Sequence, residues 1–323
     1  MSLYKAEFQI NTMCNMNCVF CFNNGHKENI GLSNDIIFSQ IKDGMEIGLK
    51  QVWLTGGEPM LDPVKVFEII EFCKKNGLLV GLSSNGLLLS KYCNNLKTAG
   101  LDEIRVSLDS SDETIFHNLR GGSLLKVIEG IRCAVDVGLP VTFRTTITKQ
   151  NSKEMENIIK LAGSLGVKMV EIKPVLPVGR AVVNSMPSHM EFYNAFVQAK
   201  KSSKVNNVDI TCVCNYLPEC KGFFVSPNIP CQCSHSAIYI AGNGEIMPCS
   251  YFPYENRFNA YKDKISEVWQ SNFFDKIRHL KPQKCESCNS WNSCRNGCPA
   301  VLHQKSMLGL DFFKMLHEGK NEA

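Results

Sequence analysis

The chain has 323 residues, 44% of them hydrophobic, with 35 Lys and Arg against 31 Asp and Glu, a net charge of +4. That length buries a full core in a main domain and leaves room for a smaller one. The near-balance of charge, with lysines scattered, excludes a dedicated nucleic-acid binder, and no apolar run reaches the ~18 residues of a membrane span or forms a signal-peptide core, so a cytoplasmic protein with neither partner is expected.

From residue 5 to about 174, short β-rich runs alternate with amphipathic stretches, the signature of parallel βα units. Strands are predicted over 5–10, 51–55, 78–83, 103–108, 141–146 and 168–172. The intervening helices close near Gly48, Gly77, Gly100, Gly138 and Gly166, each shortly before an apolar run, as left-handed stops ahead of a return strand. Six such units make an α/β fold, an open partial TIM-like barrel over 1–185. Residues 186–211 read as a polar linker with one helix over 188–201, whose Phe192, Ala195, Phe196 and Ala199 share a face suited to core packing. From 212 to 323 cysteines take over as a second domain.

Sixteen cysteines require an explanation. Cys73, Cys93 and Cys133 stand singly in predicted helices and read as small buried hydrophobes, since disulfides are not expected in a reducing compartment. Cys14, Cys18 and Cys21 lie in a loop with Asn11, Asn15 and Asn17. Three thiolates at this spacing hold three irons of a cubane and leave the fourth open. A tetrahedral zinc site completed by His26 is the alternative. After the apolar run Val52-Trp53-Leu54 comes Gly56-Gly57-Glu58-Pro59: the glycines admit close backbone approach, Glu58 offers an acceptor and Pro59 stiffens the exit.

At these two stretches the chain resembles the radical S-adenosylmethionine (SAM) enzymes, whose cluster cysteines have this spacing and whose Gly-Gly-Glu-Pro segment receives the methionine amino group. The resemblance implies a (β/α)6 barrel with ligands at the C-terminal strand ends. There, Ser84 or Asn85, Ser107, Asp109 and Arg144 would contact the ribose and carboxylate of SAM. Each is also an ordinary cap or turn residue type. Residues 172–180 would back the adenine, and Arg120 is assigned to capping a neighbouring helix in preference to facing the site.

Further on, Cys233, Gly244 and Cys249 frame a predicted hairpin between 238–240 and 246–247, followed by Cys285-x2-Cys288-x5-Cys294-x3-Cys298. This block resembles the SPASM extension of the same superfamily, which holds two auxiliary [4Fe-4S] clusters. By that resemblance Cys233, Cys249 and Cys298 bind the first, with Cys231 or Cys220 preferred as fourth ligand and Cys212 or Cys214 as the others. Cys285, Cys288 and Cys294 bind the second. No cysteine follows Cys298, so its fourth position falls to an upstream cysteine, His303, Asp311, solvent or substrate. Structural zinc is the alternative for this block.

The resemblance implies reductive SAM cleavage to a 5′-deoxyadenosyl radical, with a ferredoxin or flavodoxin as electron donor. A peptide or protein substrate undergoing oxidation, crosslinking or epimerisation is the preferred reading. For epimerisation, Cys212, Cys214, Cys220 and Cys231 are candidate hydrogen donors. Only thirteen residues precede Cys14, so a peptide would bind directly or through a separate leader-peptide-binding protein. Ser250 follows Cys249 where sulfatase-maturing relatives carry an aspartate, which argues against that role. A small-molecule dehydrogenase or epimerase, acting for example on an aminosugar, is the alternative, and a non-catalytic iron–sulfur or zinc scaffold the reading from another class.

Overall fold

The computed structural model describes residues 1–23, 29–212, 231–253, 255–280 and 300. Its strands are β1 (Lys5–Gln9), β2 (Gln51–Thr55), β3 (Leu79–Ser84), β4 (Glu103–Ser107), β5 (Val141–Ile147), β6 (Met169–Pro174), β7 (Asp209–Cys212), β8 (Ala237–Ile240) and β9 (Ile246–Met247). Helix α1 (Asn34–Glu46) follows β1, α2 (Pro63–Lys75) follows β2, and α3 (Leu89–Ala99) follows β3. Helices α4 (Glu113–Arg120) and α5 (Leu124–Asp136) follow β4, α6 (Met155–Ser164) follows β5, and α7 (His189–Asn206) follows β6, with α8 (Ile265–Trp269) and α9 (Asn272–Arg278) last. One sheet runs β7-β6-β5-β4-β3-β2-β1-β8-β9, parallel except for the β8–β9 hairpin.

The six-unit partial barrel is therefore present, and the sheet continues past it at both ends. Residues 186–211 supply α7, packed against α6, and β7, paired with β6. At the other edge β8 pairs in parallel with β1. The local reasons are chemical. Ser33, Asp62, Asp112, Ser123 and Ser188 each accept a backbone N–H at a helix start, and Ser188 forms a reciprocal capping box with Glu191. The five glycines named above all take positive φ, so each stop is one that a Cβ would oppose. Among the described residues no helix is long and apolar enough to cross a membrane.

Each strand presents alternate residues to two different surroundings. Phe8, Leu54, Leu82, Val106, Phe143 and Ile172 are fully buried in the main apolar core. Each such side chain stabilises by ~1.5–3 kcal/mol. The other face is polar and closes the lumen. Trp53 fits there because its strand partner is Gly81, where a Cβ would lie 2.0 Å from the indole. Arg105 stacks on Trp53 at 3.8 Å and bonds Glu171 at 2.9 Å, while Arg144 approaches the other Glu171 oxygen at 3.8 Å. Two guanidiniums thus share one buried carboxylate beneath the mouth of the barrel.

The α8 segment is tied back to the barrel by Gln40 of α1. Its amide donates to the carbonyls of Ala260 and Asp263, both at 2.8 Å, and accepts from Ile265 N at 3.0 Å. Cys73 is buried as a small hydrophobe. Cys93 and Cys133 correct the expectation of isolated thiols: α3 and α5 face each other there, and the two are joined as a disulfide with Cα atoms 6.2 Å apart.

Candidate active site

At the C-terminal strand ends one cavity is lined by Cys14, Cys18 and Cys21 together with Gly56, Gly57, Ser84, Asn85, Ser107 and Arg144. The loop carrying the three thiols is anchored on both sides. At its stem, Gly57 N donates to Asn11 O at 3.0 Å and Glu58 N to Met13 O at 2.7 Å. A Cβ on Gly57 would fall 2.1 Å from Met13 O, and one on Gly56 would fall 2.4 Å from the Asn11 amide oxygen. The glycine pair is thus required by close contact with the cysteine loop. On the far side, Asn17 N and Val19 N donate to the carbonyls of Arg120 and Leu119 at the end of α4, at 3.0 and 2.9 Å.

Burial pushes the Cys14 thiol up to about 11, against hydrogen bonds from Met16 N and the Asn85 amide. Burial also raises Cys18, opposed by the Arg120 guanidinium. Both are protonated at neutral pH until a metal displaces the proton. Among the described residues no three His, Cys, Asp or Glu side chains group around a single ion. A cubane takes one thiolate on each of three irons, and three separate thiols on one cavity, with a cation beside Cys18, fit that demand. His26 lies outside the described residues.

Two predicted contacts stand one layer behind the cavity wall. Glu58 is completely buried and accepts from Ser84 Oγ at 2.9 Å, Met60 N at 3.0 Å and Asn85 N at 2.6 Å. Burial raises its pKa, and these three hydrogen bonds oppose the rise. Asp109 is also completely buried, accepting from Thr146 N at 2.6 Å and Arg120 Nε at 2.5 Å. Neither carboxylate lines the cavity, nor does Pro59, which opens the short turn after Glu58. Arg120 corrects its assignment as a cap: it lines the cavity and reaches Cys18 Sγ at 3.7 Å, while Gly121 makes the left-handed cap. The signal was the acidic residue eleven positions earlier.

In the second thiol group, Cys233 is buried with Cys231 and Cys249 packed into the same small cluster. Burial first, then its thiol neighbours, raise Cys233, and the neighbouring Cys233 thiol lowers Cys231. Ser250 and Tyr251, just after Cys249, line the active cavity, and Lys173 Nζ donates to Tyr251 Oη at 2.8 Å. The Tyr251 ring also sits 5.7 Å from that of Phe22, next to Cys21. Sequence reading missed this bridge, whose parts lie far apart in the chain. Of the candidate hydrogen donors, neither Cys212 nor Cys231 lines the cavity: Cys212 packs in the main core and Cys231 beside Cys233. Cys214, Cys220, Cys285, Cys288, Cys294, Cys298, His303 and Asp311 lie outside the described residues.

A family model for the radical SAM superfamily matches residues 8–162, and one for an iron–sulfur cluster-binding domain, SPASM, matches residues 231–295. A protein of Sulfurisphaera tokodaii named "Probable GTP 3',8-cyclase" is 39% identical over 182 residues, 55% of this chain and 58% of its own length. The chain thus spans little more than half of that relative. A protein of the same name from Methanococcus aeolicus is 28% identical over 265 residues, 76% of this chain and 84% of its own. Among solved structures, Streptococcus suis SuiB bound to precursor peptide SuiA matches with a TM-score of 0.79 at 17% identity, covering 94% of this chain and 73% of that one.

At 17% identity that likeness concerns the fold alone. The relatives closer in sequence are named for a nucleotide, which overturns the expectation of a peptide or protein substrate. The non-catalytic scaffold is displaced by the family match. The chain is an enzyme of the radical SAM superfamily, in its SPASM subfamily, and it binds [4Fe-4S] clusters and S-adenosylmethionine.

Proposed function

We propose that the chain couples reductive SAM cleavage to hydrogen abstraction from a small-molecule substrate, and that a purine nucleotide is the first class to test. The observation carrying this reading is one cavity at the strand ends, into which the three loop thiols, Gly56 and Gly57, and the polar ends of β3, β4 and β5 all open. The nucleotide enters from the name of the relatives.

In this reading Cys14, Cys18 and Cys21 would hold a [4Fe-4S] cluster that, when bound and reduced, would supply the electron for reductive cleavage of SAM. The chain's own work is placement and exclusion of water. Gly56 and Gly57 bring backbone against the methionine group, and Arg144, steadied by Glu171, meets its carboxylate. Ser84, Asn85 and Ser107 meet the ribose, and Val175 and Leu176, which line the cavity, back the adenine. Glu58 and Asp109 act indirectly, by fixing Asn85 and Arg120.

Lys173 and Tyr251 form the wall shared with the second thiol group and present a cation and a phenol to a polar substrate. Cys231, Cys233 and Cys249, with Cys298, are assigned to one auxiliary cluster, and Cys285, Cys288 and Cys294 to a second. A ferredoxin or flavodoxin is the class of reductant. The test is anaerobic incubation of reconstituted enzyme with SAM and dithionite, with and without GTP. We expect GTP to accelerate 5′-deoxyadenosine formation and to be consumed. A rate indifferent to GTP and the other nucleoside triphosphates would remove the nucleotide, and intact SAM under all conditions would remove the radical reaction.

A further inference from the structure

One pair of thiols lies wholly apart from both cysteine clusters. Cys93, on α3, is buried, whereas Cys133, on α5, is partly exposed, and the two are linked across the helix seam with Cα atoms 6.2 Å apart. That separation lies within the range a disulfide bridges without moving the backbone. The seam leads directly to the proposed SAM site. One turn before Cys93, Leu89 packs against Gly130, one turn before Cys133; a Cβ on Gly130 would fall 2.8 Å from Leu89 Cβ and 2.6 Å from Gly86 O. Val127 presses on Gly86 from the same helix, so that a Cβ there would fall 2.9 Å from its methyl. The turn so gripped carries Asn85, whose N–H donates to Glu58 at 2.6 Å and whose amide reaches Asn15 at 2.7 Å and Cys14 Sγ at 3.7 Å.

We propose that Cys93 and Cys133 are a reversible dithiol–disulfide site that, when oxidised, clamps α3 to α5 and stiffens the turn presenting Asn85 to the cavity. The difference in exposure sets the order of events. Cys133, as its thiolate, attacks the S–S bond of a low-molecular-weight disulfide and releases one thiol. Cys93, losing its proton, then attacks the Cys133 sulfur and releases the second. Two protein thiols are oxidised by two electrons, and one small disulfide is reduced to two thiols. Iron holds the cluster ligands, whereas this pair has no such protection.

The functional half of the inference rests on the cavity being the SAM site, and the chemical half does not. Reconstituted holoenzyme is treated anaerobically with oxidised glutathione, alkylated, digested with trypsin and mapped. Residues 92–97 and 133–144 are expected as one linked pair that dithiothreitol separates. SAM binding, measured by equilibrium dialysis without reductant, is expected to tighten roughly threefold on oxidation, as a pre-organised turn would give. Cys93→Ser and Cys133→Ser, each checked for native circular dichroism, should show no such response. Recovery of both peptides singly alkylated overturns the site, as does a linked pair with unchanged SAM affinity. If SAM fails to bind in either form, the cofactor reading falls, and the peptide map alone then decides the redox site.

Discussion

The Asp109→Asn substitution tests how the cysteine loop is supported. Asp109 and Arg120 form an ion pair with side-chain exposures of 0% and 7%; burial is the largest influence on Arg120 and opposes its charge, and Asp109, joined by the Cys18 and Cys14 sulfurs, turns the balance so that its pKa is raised. Asparagine keeps the shape and the acceptor for Thr146 N, but leaves a guanidinium buried without its counter-charge. Breaking such a pair costs ~3–5 kcal/mol. With unfolding entropy near ~2.1 cal/mol/K per residue, the chain loses ~0.7 kcal/mol of stability per kelvin near its midpoint, so a 3 kcal/mol loss lowers Tm by ~4–5 °C. Asp109→Asn with Arg120→Met removes both charges and should recover to within ~1 kcal/mol of wild type, because an apolar replacement of a buried pair is near neutral. Thermal denaturation followed by circular dichroism reads all three proteins. A single variant within 1 °C of wild type, or a double variant no more stable than the single, would refute the reasoning.

Other substitutions address separate layers. Gly57→Ala places a Cβ 2.1 Å from Met13 O, and the displaced loop should lower reconstituted iron content while far-UV circular dichroism stays native; full iron loading would contradict the close-contact argument. Glu58→Ala leaves three buried donors unpaired and should cost ~3 kcal/mol or more in urea unfolding, with SAM binding lost together with stability. Glu171→Gln deprives Arg105 and Arg144 of their shared carboxylate and should raise KM for SAM about tenfold, ~1.4 kcal/mol, with kcat little changed. Burial pushes the Cys73 thiol up to about 12 from 9.0, so the folded chain keeps a proton that the unfolded chain loses. That contribution is complete below pH 9 and falls away as pH climbs towards 12; unfolding of Cys73→Ala between pH 8 and 10 should lose less stability than wild type does.

The helical stops and strand runs were legible because each rests on local chemistry: five left-handed glycines, side-chain caps and period-two apolar positions set strands β1 to β6 within a residue or two. The cysteine triplet and the glycine pair were legible as a motif. The lumen was not. A charge such as Arg105 or Glu171 in a strand reads equally as solvent-facing, and only closure of the sheet shows that Arg105 stacks on Trp53 while pairing with Glu171. Glu58 and Asp109 were placed on the cavity because their strand ends are there, yet backbone donors, Asn85 N in the turn after β3 and Thr146 N in β5, draw both side chains behind the wall. Cys93 and Cys133 are separated by 40 positions, and nothing local encodes the rotation that turns them towards each other. β7 was missed because four residues ending in a cysteine resemble the start of the cysteine-rich block.

The central claim is that the opening loop holds a cluster that cleaves SAM. Anaerobic reconstitution with iron and sulfide, followed by iron counting and a 5′-deoxyadenosine assay with SAM and reductant, tests it most directly. The account predicts about twelve irons per chain for three cubanes, and cleavage abolished by Cys14→Ala with the auxiliary iron retained. Zinc in place of iron, or iron without cleavage in the wild-type chain, would contradict it.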